Sequence, residues 1–193
     1  MQEITKKLFT VDEYYRMAEA GILTPEDRVE LIDGEIIQMS AIGHRHMACV
    51  TRATTLFILA FGSKAVVSTQ NPVQLSGWTE PQPDLVILKP RSDFYDTGKP
   101  KAEDVLFTVE VADTSLLYDR NVKLPRFAAA GIPEVWIDDL QNDVVLVFRN
   151  PLVDGYQTTM TLQRGDTISP IAFPNNSFAI DDLLGTPQDT GPH

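Results

Sequence analysis

The sequence predicts an α/β domain: a mixed β-sheet flanked by helices, preceded by an N-terminal helix and a β-hairpin. Short apolar runs of strand length alternate with segments whose apolar residues recur at helical spacing, which is the pattern of a sheet covered by helices. The chain has 193 residues, 43% of them apolar and 22% charged, a size and composition suited to one globular domain with a full core. There is no internal repeat and no linker-like stretch. Residues 1–184 are therefore expected to form a single domain, and the Gly, Pro, Asp and Thr-rich residues 185–193 a loose tail.

Thr10-Val11-Asp12-Glu13 reads as a capping box, with Thr10 capping the amide of Glu13 and Glu13 reaching back, so a first helix starts there and stops at Gly21. Val29, Leu31, Ile36 and Ile37 flank Asp33-Gly34, a pair that supplies the positive φ angles of a type I′ hairpin turn. A second helix is predicted over residues 46–61, with Met47, Val50, Thr54, Phe57, Ile58 and Phe61 on its core face and Gly62 ending it. Strands are expected at residues 65–70, 73–75, 85–88 and 106–111. A third helix follows Asp119 and ends near Gly131, with Pro125 in or just after its first turn, or bending it, because proline cannot donate an amide proton. Residues 134–137 and 144–149 read as strands joined by a turn at Gln141-Asn142-Asp143.

Sixteen Lys and Arg against 27 Asp and Glu leave a net charge of −11, which weighs against extensive phosphate binding. Seven of the basic residues lie between Lys89 and Arg126, matched there by seven acids, so the rest of the chain carries the whole deficit. An acidic surface that favours solubility explains this charge; a sharper reading keeps basic groups where phosphates approach. Cys49 is the sole cysteine and His44, His46 and His193 the only histidines, which excludes an intramolecular disulfide and disfavours a zinc site. No apolar run approaches the roughly 18 residues of a membrane span, and Met1 to Lys7 lack the apolar core of a secretory signal, so the expected location is the cytoplasm.

Two carboxylates stand at the ends of predicted strands. Asp84 opens the run Leu85-Val86-Ile87-Leu88, and Glu110 closes Val105 to Val109, so both can sit at one edge of the sheet. Hard divalent cations take oxygen ligands of this kind, and such a cation is what hydrolysis of a phosphodiester uses. Lys123 follows on the next helix. Taken singly, Asp84 reads equally as a turn residue after Pro83, Glu110 as a strand residue paired with a cation, and Lys123 as a solvated helix lysine.

Together, Pro83-Asp84, Glu110 and Lys123 resemble the PD-(D/E)XK nuclease superfamily. The wider set RVELIDGEIIQMS, GHRHMACV, PQPDLVIL, VEVADTSLLYDRNVKLPRFAAAGIPEVWIDDL and FAIDDLLG resembles a restriction-endonuclease family abundant in cyanobacteria, over residues 8–184. The resemblance implies a restriction-endonuclease-like fold and a Mg²⁺-dependent endonuclease acting on DNA, with Mn²⁺ as a substitute ion. It implies Glu30, Asp84, Glu110 and Lys123 as catalytic residues, with Asp84, Glu110 and the backbone carbonyl of Val111 as metal ligands. The superfamily pattern puts its lysine two residues after the second acid, where this chain has Ala112. Either the role has moved to Lys123 or the fold is a silent module that binds DNA or a protein partner; a hydrolase of RNA or another phosphodiester is a further alternative. Glu30 could instead be an outward-facing hairpin residue, and Asp33 and Glu35 are assigned to the turn. His46, at a helix start, is expected either to contact phosphate or to play a capping, exposed role. Cutting both strands of a duplex would call for a homodimer.

Overall fold

The computed structural model describes residues 5–187, so most of the expected loose tail lies outside the described residues. Helix α1 (Val11–Glu19) carries the anticipated capping box, the Thr10 hydroxyl accepting from the Glu13 amide at 3.1 Å. Strands β1 (Val29–Ile32) and β2 (Glu35–Gln38) pair antiparallel around Asp33 and Gly34, whose φ angles of 51° and 79° make the expected left-handed turn. Helix α2 (His44–Phe61) is followed by β3 (Val66–Thr69), β4 (Leu85–Leu88) and β5 (Val105–Ala112). A crossover of α3 (Leu116–Tyr118), a π-helical turn (Asp119–Lys123) and α4 (Leu124–Ala129) leads to β6 (Glu134–Asp139). The chain then forms β7 (Val144–Leu152), β8 (Gly155–Leu162), the short pair β9 (Thr167–Ile168) and β10 (Phe178–Ala179), and α5 (Ile180–Leu184).

The central sheet runs β3-β4-β5-β6-β7-β8. Only β5 and β6 pair parallel, as their helical crossover requires; its other neighbours are antiparallel, so the sheet is mixed as predicted. Strand alternation sends Leu85, Ile87, Phe107, Val109, Val111 and Trp136 to one face, against α2 and α5. Val86, Leu88, Ala112, Val135 and Ile137 go to the other, against Phe127 of α4. Aromatic rings lock the first face, with Phe57 and Phe178 edge to face at 5.0 Å between centroids. Among the described residues no helix is long and apolar enough to cross a membrane.

Several expectations are corrected. Helix α2 starts at His44, two residues early, and its buried stripe is Cys49, Val50, Ala53, Phe57 and Phe61, while Met47 and Ile58 are exposed. Small Cys49 and Ala53 let the helix sit close to the sheet, which turns the larger Met47 and Ile58 outward. Residues 73–75 are no strand: Val73 and Leu75 donate to Pro81 and Thr79 across a tight loop, and Gln74 makes a lone bridge to Lys101. Strand β8, with its polar exposed positions, and the elements after it were not anticipated.

The hairpin is tied to the body by Glu80 donating to the Leu31 carbonyl (2.7 Å) and Gly34 donating to that of Trp78 (2.7 Å). A Cβ on Gly34 would stand 2.8 Å from the Leu8 Cβ and 3.1 Å from the Phe9 backbone, and Gly34 has a positive φ. Gly34→Ala is expected to lower stability by about 2 kcal/mol, since left-handed backbone and a close approach are both penalised. Urea unfolding measures it; a change under about 0.5 kcal/mol would contradict the stated packing.

Candidate active site

Asp84 sits one residue before β4. Because Leu85 pairs with Val109, one further step of that antiparallel register sets Asp84 opposite Glu110, on the sheet face that also carries Val86 and Ala112. The Glu110 carboxylate reaches back to the Asp84 amide at 3.4 Å. Asp84 Oδ2 accepts from the Val111 amide at 2.9 Å and lies 2.9 Å from His46 Nε2. Its Oδ1 has only the Gln70 side-chain amide, at 3.4 Å.

The crossover helix covers this same face and explains how a lysine distant in sequence arrives there. Pro125 has no amide hydrogen and would crowd the carbonyl one turn back in an α-helix. The helix widens before it instead: the Leu124 amide donates to Asp119, five residues earlier, in a π-turn. That turn points Lys123 inward, only 7% exposed, with Nζ 3.2 Å and 3.3 Å from the Glu110 oxygens and 3.6 Å from Glu30 Oε2. Ala112 on the same face is buried among apolar groups.

Glu30 is 1% exposed in β1, where its carboxylate accepts from Tyr118 Oη and from the Gln82 amide, both at 2.9 Å. Glu30, Asp84, Glu110, Val111 and Lys123 are thus all brought together. Asp33 and Glu35 stay at the hairpin turn, as expected, and pair there with Arg126 and Lys6.

Burial pushes the Glu110 carboxyl well above the ordinary glutamate range; Lys123 counteracts this, while Asp119, Asp84 and Glu30 add to it. Asp119 is also raised, chiefly by burial, against the pull of Lys123 and a 2.6 Å hydrogen bond from Ser115. For Lys123 burial works against the charged form, but the carboxylates of Glu110, Glu30, Asp119 and Asp84 outweigh it and hold the ammonium protonated above its usual range.

Carboxylates crowded around one ammonium fit a divalent cation: the donors are hard oxygens, Asp84 Oδ1 is weakly engaged, and added positive charge would relieve the burden on Glu110. Among the described residues no three Asp, Glu, His or Cys side chains are grouped as a ready-made cation site. The set expected from the sequence has two carboxylates and a main-chain carbonyl, which asks for no third side chain.

Four participants were missed or misassigned by sequence reasoning. His46 orients Asp84 rather than capping α2, which has Gly43 at its N-cap. Tyr118, Asp119 and Gln82 support Glu30 and Lys123; a polar pair inside a helical pattern, Tyr118-Asp119, was the available signal. Of the seven basic residues between Lys89 and Arg126, Arg91, Lys99 and Arg126 are drawn into ion pairs with Asp93, Glu80 and Asp33, while Lys123, paired with Glu110, stands in the site itself.

The site opens into a cleft of about 1110 Å³ between the hairpin with α1 on one side and the crossover on the other. The profile of the Uma2 family, described as "Putative restriction endonuclease", matches residues 11–181. The fold is similar to the crystal structure of a protein from Anabaena variabilis described as a "putative nuclease", with a TM-score of 0.69 and 19% identity over 91% of this chain and 97% of that one. No curated protein matches significantly.

Proposed function

The chain belongs to the Uma2 family, and from that membership and the acid–lysine cleft we propose that it is a Mg²⁺-dependent endonuclease hydrolysing DNA phosphodiester bonds. The observation that carries the reading is the Lys123 ammonium held 3.2 Å from Glu110, on the sheet face that Glu110 shares with Asp84. Asp84, Glu110 and the Val111 carbonyl would hold the cation. When bound it supplies positive charge to the phosphoryl oxygens and acidifies water.

Lys123 does the work expected of the lysine whose usual position is Ala112. It keeps its proton, so it donates hydrogen bonds from Nζ rather than acting as a base, orienting water or stabilising charge on a phosphoryl oxygen. Glu110 and Glu30 fix its direction, and Tyr118 and the Gln82 amide fix Glu30. His46 holds Asp84 in place. Water forms the new O–P bond as the bond to the leaving sugar oxygen breaks; the water proton passes to solvent through the open cleft, and the leaving oxygen takes one up. A cut in both strands of a duplex would need two such sites, which a two-fold homodimer supplies.

Incubation with supercoiled plasmid and with circular single-stranded DNA tests the reading, since circles have no ends for an exonuclease. Nicked or linear product with Mg²⁺ or Mn²⁺, and none with chelator, is expected. Absence of cleavage of both circles with either ion, together with no calorimetric metal binding, would sink the enzyme and leave the silent module.

A further inference from the structure

The cleft wall facing Lys123 differs from a duplex-binding groove. Proteins that hold duplex DNA neutralise many phosphates with Lys and Arg. Among the described residues that line this cleft, the cations other than histidine are Lys123, already engaged by Glu110 and Glu30, and Arg28, which has no carboxylate partner. The rest of that lining, histidine aside, carries no positive charge: acidic and uncharged polar side chains share it with ring and aliphatic surface from Tyr14, Ile37, Met39 and Ile42 on the side of α1 and the hairpin and from Tyr118 on the crossover. Both tyrosine hydroxyls are committed to the protein, Tyr14 donating to the Val29 carbonyl at 2.9 Å and Tyr118 to Glu30 at 2.9 Å. What these half-buried side chains offer a ligand is ring surface. Arg28 is held at φ 45°, a conformation few non-glycine residues adopt, next to this wall.

Resting on the nuclease reading, we propose that the DNA entering this cleft is single-stranded and is held mainly by its bases, stacked on Tyr14 and packed on Ile37, Met39 and Ile42, with Arg28 meeting a phosphate. Unpaired bases present faces that such a wall can cover, whereas a duplex hides them and presents charge that this wall cannot neutralise. The acidic residues at the cleft floor then receive a strand already positioned. One chain suffices for cutting a single strand, so this substrate makes no demand for a dimer.

The test is fluorescence anisotropy of the full chain with an end-labelled mixed-sequence 20-mer, single-stranded or as its blunt duplex, in chelator so that nothing is cut. The single strand is expected to bind at least tenfold more tightly. Its log K should fall with log salt at a slope between about −0.7 and −1.5, as one or two cations predict for single strands. Tyr14→Ala should weaken single-strand binding about tenfold, while Tyr14→Phe, which keeps the ring, should stay within about twofold of wild type. Equal or tighter duplex binding, no binding of either, a slope steeper than about −3, or equal losses in the two Tyr14 variants would overturn the proposal. None of these outcomes bears on metal-dependent cleavage of circular DNA, so the two readings fail separately.

Discussion

Lys123→Ala is expected to slow DNA cleavage by about 10²- to 10³-fold while metal binding persists or tightens, the range seen when one preorganised donor is removed from a transition state. The contrast with Asp84→Asn makes the result interpretable. Removing a carboxylate that would hold the ion should abolish both calorimetric Mg²⁺ binding and cleavage, whereas removing Lys123 takes a positive charge out of an acidic cluster and favours the cation. Lys123 is fastened to Glu110 and Glu30 in a buried site, so the variant loses a structural contact too. Circular dichroism and metal titration on the same preparation separate unfolding from loss of chemistry. Cleavage that survives Asp84→Asn would mean a contaminant or another site, and a Lys123→Ala enzyme of wild-type rate would return the lysine to a structural role.

Asp138 should make the fold less stable as pH rises. It is fully buried in β6, with Oδ1 lacking any partner and Oδ2 3.5 Å from the Cys49 thiol, and burial pushes its carboxyl up to about 7 from an ordinary value of 3.8. Between those two values the unfolded chain has released this proton and the folded chain retains it. The native state then binds more protons, so stability falls with rising pH through that window and levels off above about 7. Each pH unit is worth about 1.4 kcal/mol, so from pH 5 to 8 the loss from this group is on the order of 3 kcal/mol. Asp138→Asn carries no such proton. In chelator, the stability difference between variant and wild type should shift in the variant's favour by that amount across the range, measured by urea unfolding at each pH. A difference that stays constant with pH would show that Asp138 is ionised in the fold.

The parts legible in the sequence share a physical basis in local chemistry. A capping box at Thr10, the Asp33-Gly34 turn and the alternation of Leu85 to Leu88 each specify their own backbone through contacts a few residues away. Asp84 and Glu110 were legible as a pair because each stands at the end of an apolar run of strand length; the antiparallel register that sets them opposite one another came only with the pairing of β4 and β5. Helix α2 shows where this reasoning stops. Its period was plain, but whether Met47 or Cys49 faces the sheet depends on how closely the helix approaches a surface made by other strands.

By itself the sequence determined the class of fold, the hairpin, and a carboxylate pair at one edge of a sheet, because these depend on spacing and on what each residue type can do locally. The tertiary structure alone decided the rest. Lys123 reaches Glu110 only because Pro125 widens the helix into a π-turn and the crossover lies over the face that holds Ala112. His46 meets Asp84, and Tyr118 meets Glu30, across 38 and 88 residues of chain. Contacts between groups so far apart follow from the packing of whole elements, which no local pattern specifies.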